Sequence, residues 1–373
     1  MRVIFKNTFL IVLTGLIIIS CEPKPSREER VSPADRPVNI VLLIGDGMGL
    51  AQVSTTFYFK KEGSSQFQRF PYIGLINTSS SNQKITDSAA GATAFACGVL
   101  TYNGAVGVDT AKQPVANIIE HVSPHGYQTG LVATSSITHA TPASFFAHAP
   151  SRSMNELIAE QLVLSEVDLF IGGGRQFFEN REDGNSLLEK LKEEQFEIYY
   201  SMEELTDLDP VKKYGVLAAE DGLPPVHEGR GEFLTEATEK ALDYLSASQK
   251  PFFLMIEGSQ IDWGGHANNR EYTIGEMLDF DKILGIVLDF ADKNGETLVV
   301  VTADHETGGM ALAALGGDGM EADYNELSPV FSTGGHTATL IPVFATGPGA
   351  KIFSGIYKNT EIYHKMVDLL DLE

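Results

Sequence analysis

Short apolar runs alternate with amphipathic segments along most of the chain. The apolar runs predict buried strands at 38–44, 127–134, 168–171, 252–256, 298–302 and 340–346. Apolar residues at helical spacing predict helices at 232–245, 274–290 and 360–372. Strands that alternate with helices favour a parallel sheet covered on both faces. We therefore expect an α/β fold, a three-layer α/β/α sandwich with a central, mostly parallel sheet.

Residues 1–20 have the features of an export signal. Arg2 and Lys6 precede the apolar run 8–19, and the residues before Cys21 resemble the lipobox of bacterial lipoproteins, in which the cysteine is acylated. We expect a lipoprotein signal peptide, a membrane anchor through lipidated Cys21, and an exported protein of the cell envelope, facing the periplasm or the outside. A plain transmembrane anchor is the alternative, although the apolar run is short for a full span.

The rest of the chain divides into a tether and one domain. Residues 21–37 contain four prolines and many charges, which predicts a flexible tether. Residues 38–373 are predicted to form a single domain, with the more polar segment 176–230 as a surface excursion. Cys97 lies in the apolar run AFACG, so we expect a buried thiol there.

The overall charge narrows the class of partner. The 373 residues are 43% hydrophobic, enough for a substantial core, and carry a formal net charge of −23. A nucleic-acid partner is not expected, because phosphate-backbone binding requires a basic face. An anionic small-molecule substrate is compatible only if local positive charge, such as bound metal, overrides the global sign.

Several ionisable or hydroxyl side chains stand in short motifs, most of them next to the predicted strands. They are Asp46 in NIVLLIGDGMG, Ser88 in TDSAAGATA, Glu257, Asp262 and His266 in EGSQIDWGGH, Asp304 and His305 in ADHETGG, and His336 in TGGHT.

Each motif alone has an ordinary structural explanation. Asp46 could be a turn or N-cap residue, and Asp87 with Ser88 could cap a helix. Asp262 and His266 are spaced as two metal ligands on one helical turn, but the intervening glycines suit a loop equally well. His336 could be an ordinary loop histidine.

The motifs together are harder to explain in this way. Ligands bind beyond the carboxyl ends of parallel strands, and carboxylates and imidazoles follow several of the predicted strands. Histidine with aspartate suits zinc, and carboxylates gathered at one edge would repel one another unless cations lay among them.

The combination of TDSAAGATA, EGSQID followed by GGH, ADHETGG and a second GGH closely resembles the alkaline phosphatase family. The resemblance extends from residue 38 to about residue 350. It implies hydrolysis of phosphate monoesters at a centre with two zinc ions and one magnesium ion. Small phosphorylated molecules would be the substrates, and a homodimer is compatible with the resemblance.

The resemblance also implies a role for each motif residue. One zinc would be held by Asp262, His266 and His336, and the second by Asp46, Asp304 and His305. Asp46 would bridge to the third ion, which Thr141 and Glu257 would also bind. Ser88 would be the nucleophile, and Arg152, in APSR, would hold the phosphate.

Two positions vary within the family that the chain resembles. His139 stands where some members have aspartate, near the third ion, and this difference bears on the identity of that ion. Trp263 stands where others have lysine or histidine near the phosphate, and plain packing is the alternative explanation for it. The remaining histidines match no metal motif and are interpreted as structural or surface residues: His121, His125, His148, His227 and His364.

Three other functions compete with the monoesterase. A phosphodiesterase, or another phosphoryl-transfer enzyme, could use the same two-metal core, but Arg152 and the third-ion residues favour a monoesterase. A catalytically inactive metal-binding lipoprotein is disfavoured because every catalytic position is filled. A sulfatase is disfavoured because the nucleophile position holds Ser88 and no Cys-x-Pro-x-Arg motif is present.

The stretch LVVVTADHETGG raises a geometric question of its own. Adjacent residues of a strand point to opposite faces, so Asp304 and His305 can bind one ion only if the strand has ended before them. We therefore predict that the strand ends by Ala303 and that Gly308 and Gly309 turn the chain. Glu306 is expected to have no ligand role.

Overall fold

The computed structural model describes residues 36–316 and 321–372. The predicted signal peptide, Cys21 and nearly all of the predicted tether lie outside these residues. Within the described ranges, no helix combines the length and the apolar character needed to cross a bilayer.

The described chain contains strands β1 to β14 and helices α1 to α11, numbered in chain order. The strands are β1 Asn39–Gly45, β2 Tyr72–Asn77, β3 Gln128–Ser136, β4 Leu169–Gly173, β5 Phe196–Tyr199, β6 Lys213–Leu217, β7 Phe252–Gly258, β8 Thr297–Thr302, β9 Glu306–Thr307, β10 Met310–Leu315, β11 Asp323–Phe331, β12 His336–Thr337, β13 Ile341–Thr346 and β14 Gly355–Lys358. The helices are α1 Leu50–Tyr58, α2 Ser88–Cys97, α3 Ile118–Val122, α4 Ala140–Ala143, α5 Asn155–Val163, α6 Gln176–Glu179, α7 Leu188–Glu193, α8 Phe233–Ala247, α9 Gln260–His266, α10 Arg270–Asn294 and α11 Glu361–Leu370.

A 10-stranded sheet forms the centre of the fold, in the order β14-β2-β13-β8-β1-β7-β3-β4-β6-β5. Only β13 runs against its neighbours, since it pairs antiparallel with both β2 and β8 while the remaining pairs in this sheet are parallel. The predicted mostly parallel central sheet is therefore confirmed.

The central strands are covered on both faces. Every residue of β1, β7 and β8 is buried, and because successive side chains point to opposite faces, packed layers must lie on either side. Helices α8 and α10 pack on β7, and α4 contacts both β3 and β7. Complete burial explains why these strands read as continuous apolar runs. The predicted strands correspond to β1, β3, β4, β7, β8 and β13, and the predicted helices to α8, α10 and α11.

The predicted surface excursion 176–230 needs a correction. This segment contributes β5 and β6, which form one edge of the central sheet. Leu191 and Leu217 are fully buried within it. The segment is polar because it lies at the edge of the sheet, where β5 has only β6 as a neighbour and most of its residues are partly exposed.

Two strands at the opposite edge were not predicted. In β2 only Gly74 and Ile76 are buried, and most of β14 is exposed. Neither strand carries the continuous apolar run that marks a central strand. The neighbours of β2 in the sheet, β13 and β14, are also far from it in the sequence, so local sequence patterns do not indicate their pairing.

The end of β8 agrees with the prediction. The strand stops at Thr302, and Gly308 and Gly309 adopt φ angles of 92° and 56°, which favour glycine. Between the end of β8 and Gly308, the two-residue strand β9 pairs antiparallel with β12, so that Thr307 lies opposite His336.

The central position of β1 predicts a large effect of truncating one of its side chains. Leu42 is fully buried, so Leu42→Ala should lower the free energy of unfolding by about 3 kcal/mol through lost burial and an unfilled cavity. The same truncation at Leu164, which is 76% exposed, should change it by less than about 0.5 kcal/mol. Denaturant unfolding followed by circular dichroism measures both. Equal effects of the two variants would contradict the buried, central placement of β1.

Candidate metal centre and nucleophile

The register of the central strands brings their polar ends to one edge of the sheet. Ile44 of β1 lies opposite Glu257 of β7 and opposite Thr302 of β8, and Ala133 of β3 also pairs with Glu257. Side chains that follow β1, β8 and β3 are therefore gathered around the end of β7. Asp46 and Asp304 both emerge at this edge.

Three groups of potential metal ligands form there. In each group the ligand atoms lie within 4.8 Å of one another. The groups are Asp262 with His266 and His336, Asp46 with Asp304 and His305, and Asp46 with His139 and Glu257. Asp46 belongs to two of them, so the second and third groups are adjacent.

Helix α9 and strand β12 build the first group. Asp262 and His266 lie one turn apart on α9, which decides between the helix and the loop that the sequence left open. The His266 Nε2 atom is 3.3 Å from Asp262 Oδ1 and 3.2 Å from the Nε2 atom of His336. Nδ1 of His266 is 2.8 Å from the Gly334 carbonyl oxygen, and Nδ1 of His336 is 2.9 Å from that of Thr86. Donation from each Nδ1 leaves Nε2 with its lone pair facing the group, as in metal-binding histidines.

The second group lies beside the proposed nucleophile. The His305 Nε2 atom is 3.2 Å from Asp304 Oδ2, 3.5 Å from Asp46 Oδ1 and 3.2 Å from the hydroxyl oxygen of Ser88. All three ligand side chains are fully buried. Burial lowers the pKa of His305 to about 3, so its imidazole is neutral and able to bind a cation.

Ser88 is the first residue of α2, and Asp87 caps that helix. The Asp87 carboxylate accepts a hydrogen bond from the Ala90 amide at 3.0 Å, so the capping explanation applies to Asp87 and leaves the Ser88 hydroxyl free to face His305. Small residues let α2 approach the metal groups closely, because a Cβ atom on Gly91 would lie 2.9 Å from Cβ of Asp304.

Arg152 reaches the same place from a loop after α4. Its Nη1 donates to Asp87 Oδ2 at 3.2 Å, and its Nη2 donates to the Nε2 atom of His139 at 3.0 Å. The positively charged guanidinium of Arg152 is thus held by Asp87, the residue before Ser88.

The third group surrounds Glu257. One Glu257 oxygen, Oε2, accepts hydrogen bonds from Ser135 and Ser259, while Oε1 has no partner among the described residues. The buried hydroxyl oxygen of Thr141 and the Nδ1 atom of His139 are also without partners there.

The unpartnered buried oxygen atoms fit cations. Both carboxylate oxygens of Asp46 and one of Asp304 have no hydrogen-bond donor among the described residues, although buried polar atoms are normally satisfied. Burial, reinforced by the neighbouring carboxylates, raises the pKa of Asp46 well above its ordinary value and that of Asp304 to about 6. Burial also raises the pKa of Glu257 to about 7. Metal ions would remove this repulsion and satisfy the same oxygens.

Sequence reasoning did not identify Thr307, which links the first two groups. Its hydroxyl donates to Asp262 Oδ1 and lies 3.1 Å from Nδ1 of His305, from which it accepts. Ser135 and Ser259 were missed in the same way. The available signal was their position within two residues of a predicted ligand or strand end, which is too common to single them out.

Glu306 contacts no ligand group. It accepts hydrogen bonds from Gln52, from the Met310 amide and from Thr337. These bonds tie the loop after β8 to α1 and β12, in line with the expectation that Glu306 is not a ligand.

Trp263 and the other histidines lie around these groups. The Trp263 ring packs edge-on against His139 with ring centroids 6.2 Å apart, and a Cβ on Gly222 would clash with it. The histidines without a metal motif belong to none of the three ligand groups found in the described part of the chain: His121, His125, His148, His227 and His364. Cys97, at the end of α2, is buried and forms no disulfide within the part of the chain that the structure describes.

Comparisons with known proteins identify the family. A family model described as alkaline phosphatase matches residues 38–326. Alkaline phosphatase 3 of Bacillus subtilis (strain 168) is 31% identical, covering 94% of this chain and 93% of its own. The structure of alkaline phosphatase from the Antarctic bacterium TAB5 is 51% identical, with a TM-score of 0.88 over 91% of this chain and 99% of that one. A TAB5 mutant with a histidine replaced by aspartate, solved with magnesium bound in its M3 site, is 50% identical, with a TM-score of 0.87 over the same shares of the two chains.

The relative and the solved structure cover more than nine-tenths of this chain, and the family model covers residues 38–326. The shared sequence, the shared fold and the gathered ligands agree with one another. The chain therefore belongs to the alkaline phosphatase family, enzymes that hydrolyse phosphate monoesters with the help of bound metal.

Proposed function

We propose that this alkaline phosphatase acts through a phosphoserine intermediate at Ser88, assisted by two zinc ions and a third, magnesium-type ion. The observation that carries the proposal is the position of the Ser88 hydroxyl, 3.2 Å from His305 at the edge of a ligand group. The same hydroxyl lies at the N-terminus of a 10-residue helix, where an anion is favoured. Arg152 is held beside it through Asp87.

The ligand assignment follows the three groups. Asp262, His266 and His336 would hold one zinc, and Asp46, Asp304 and His305 the second, since imidazole and carboxylate together suit zinc. The third group is richer in oxygen, with Asp46, Glu257 and the Thr141 hydroxyl, and oxygen ligands suit magnesium.

The size of the rate enhancement supports metal assistance. Hydrolysis of phosphate monoesters can be accelerated by up to ~10²¹-fold, whereas general acid–base catalysis contributes about 10²–10⁴. When bound, two metal ions supply positive charge for the attacking and leaving oxygens and lower the pKa of a bound hydroxyl or water.

The residues of the chain supply position and orientation. Ser88 forms its Oγ–P bond as the ester P–O bond breaks, and a water molecule then forms a new P–O bond as the Oγ–P bond breaks, releasing phosphate. Arg152 presents a planar fork that matches two oxygens of the phosphoryl group. The N-terminus of α2 adds peptide N–H groups directed toward the same anion.

His139 occupies a special position at the third group. Because arginine has no acceptor, Nε2 of His139 must accept from Arg152, and its ring hydrogen is then on Nδ1. An Nδ1–H group donates and cannot bind an ion directly, so His139 in this arrangement would reach the third ion through water. A TAB5 alkaline phosphatase mutant with aspartate in place of a histidine was solved with magnesium bound in its M3 site, and this likeness supports magnesium as the third ion here. For Trp263, which packs on His139, we propose an effect on phosphate affinity.

The proposed setting is the cell envelope, with the enzyme anchored through lipidated Cys21 and acting on small phosphorylated molecules. This part rests on the N-terminal sequence alone. A phosphodiesterase using the same metal groups is the alternative. It is disfavoured because Arg152 and the third group would favour the additional charged oxygen that a monoester has and a diester lacks.

A paired ester and metal measurement tests the whole proposal. The purified enzyme should contain zinc and should hydrolyse p-nitrophenyl phosphate with a kcat/KM at least ~100-fold above that for bis(p-nitrophenyl) phosphate, since the diester leaves buried polar groups unpaired. Chelation should abolish activity, and added zinc should restore it. Full activity without bound zinc, or a preference for the diester, would refute the proposal.

Replacement of the nucleophile separates chemistry from metal binding. Ser88→Ala should lower kcat for p-nitrophenyl phosphate by a factor on the order of 10³ or more while zinc content stays unchanged, because Ser88 is not needed to build the ligand groups. Ser246→Ala, on the exposed side of α8, is the control and should behave as wild type. Wild-type turnover by Ser88→Ala would exclude Ser88 as the nucleophile.

The Thr307 hydroxyl should tune metal affinity. Thr307→Val keeps the shape of the side chain but removes the hydroxyl that joins Asp262 and His305, so zinc affinity should fall by about 10–100-fold, as with other outer-sphere hydrogen bonds. Thr307→Ser keeps the hydroxyl and should stay within a few-fold of wild type. Chelator competition followed by metal analysis measures both, and equal zinc retention in the two variants would show that the hydroxyl has no such role.

A further inference from the structure

His148 lies outside the metal groups but joins two segments that reach them. Its side chain is 16% exposed. Nδ1 lies 2.6 Å from the carbonyl oxygen of Gly107, and Nε2 lies 3.0 Å from the Glu120 carboxylate on α3. The His148 backbone exchanges hydrogen bonds with the Gln161 side chain on α5.

Both ring nitrogens of His148 face atoms that accept hydrogen bonds. A backbone carbonyl has no proton to donate, and an ionised carboxylate has none either. Burial works to raise the pKa of Glu120, but hydrogen bonds from His148 and the Asn117 amide lower it overall. With Glu120 ionised, only the doubly protonated imidazolium can make both contacts. The pKa of His148 is accordingly raised, chiefly by the hydrogen bond to Glu120.

The segment bonded by His148 leads directly to the phosphate-binding side chains. Val106 and Ala149 exchange two backbone hydrogen bonds, and the Arg152 amide donates to the Gly104 carbonyl at 2.7 Å. The Gly104 amide in turn donates to both carboxylate oxygens of Asp87. Asp87 caps the Ser88 helix and accepts from the Arg152 guanidinium.

The loop 104–107 is therefore fixed at two ends. Its start is bonded to Asp87 and to the Arg152 backbone, and its end at Gly107 is bonded to His148 and, through the Gly107 amide, to Thr93 of α2. Gly107 has a φ of 59°, and a Cβ there would lie 2.0 Å from the Ala147 carbonyl oxygen. On the side of Gly107, the loop packs directly against the residue that precedes His148, so a change at His148 is transmitted to the loop.

We propose that the His148 imidazolium is a positioning residue that holds the loop 104–107 against α3 and thereby keeps Asp87 and Arg152 in place to bind the phosphoryl group. The proposal rests on the phosphate-binding role of Arg152 put forward above. It gives the enzyme a phosphate affinity that depends on the charge of a histidine remote from the metal ligands.

The direction of the pH dependence follows from the sign of the shift. The pKa of His148 is raised above its ordinary value of about 6.5, so the two-sided contact is complete below about pH 6.5 and is lost as the pH rises through the raised value. Above that value the lone pair of one nitrogen faces an acceptor, and Arg152 is held less firmly. Among the residues that line the cavity at His148, the other titratable groups are Glu120 and Glu166, and Glu166 lies beyond α5, where it accepts from Ser123.

Inhibition by inorganic phosphate tests the proposal on the zinc-loaded enzyme. The inhibition constant for phosphate against p-nitrophenyl phosphate is measured from about pH 6 to about pH 9 for wild type, His148→Leu and Glu120→Gln. Near pH 6, His148→Leu should weaken phosphate binding by on the order of tenfold, within the ~100-fold that a misplacement of about 1 Å costs. Wild type should approach the variant at high pH. Glu120→Gln removes the charge that stabilises the imidazolium, so its curve should shift to lower pH.

A direct titration separates failure of this proposal from failure of the function. Nitrogen NMR of ¹⁵N-histidine-labelled enzyme should show His148 titrating above its ordinary value, and in Glu120→Gln below the wild-type value. His125→Leu, which removes an exposed histidine bonded only to the His121 carbonyl, is the control and should leave phosphate inhibition unchanged.

Two results would overturn the role of His148. One is an unchanged phosphate inhibition constant near pH 6 in a folded, zinc-loaded His148→Leu enzyme, and the other is an ordinary or lowered pKa for His148. If Arg152→Ala also leaves phosphate inhibition unchanged, the error lies in the proposed role of Arg152, on which the inference depends.

Discussion

The repulsion among buried carboxylates at one edge of the sheet is the constraint on which the site depends. Asp46, Glu257 and Asp304 are each fully buried, and their pKa values are raised because burial and mutual repulsion disfavour three negative charges together. In a protein with a net charge of −23, further negative charges in the core do not stabilise the fold. The arrangement is stable in ionised form only with cations among the oxygens, and the same cations create a pocket that attracts an anionic substrate.

The fold meets this constraint with a rigid central sheet that carries the ligand residues at one edge. Buried parallel strands fix the backbone up to the sheet edge. β1 and β8 end just before Asp46 and Asp304, whereas Glu257 is still within β7. Hydrogen bonds from the Nδ1 atoms of His266, His305 and His336 then orient the rings. Such hydrogen bonds fix the orientation of metal-binding rings and raise their affinity for the ion.

An element or site residue could be predicted where it produces a recognisable local pattern in the sequence. The central strands were predicted because complete burial on both faces forces a continuous apolar run, and the ligand residues because charged groups directly after such runs are conspicuous. The resemblance to a family supplied the grouping of those ligands. Edge strands β2 and β14 were missed, and 176–230 was misjudged, because half-exposed strands have mixed composition. Thr307, Ser135 and Ser259 were missed because hydroxyl residues near a ligand or strand end are too common to be distinctive in a sequence. Their hydrogen bonds to the ligands form only once the chain folds.

In the proposed phosphate-binding role of Arg152, the way in which its side chain is held bears on turnover as well as on binding. Its guanidinium is bonded to Asp87 and His139, and Asp87 is itself fixed by the amides of Ala90 and Gly104. An arginine in such a network loses little freedom when a phosphoryl group arrives. Its charge is also partly balanced by Asp87, so it attracts phosphate less strongly than an unpaired arginine would. Because product phosphate uses the same contacts as the substrate, unlimited affinity would slow release and add nothing to the chemical step. The carboxylate that orients Arg152 therefore also limits how tightly the product is held.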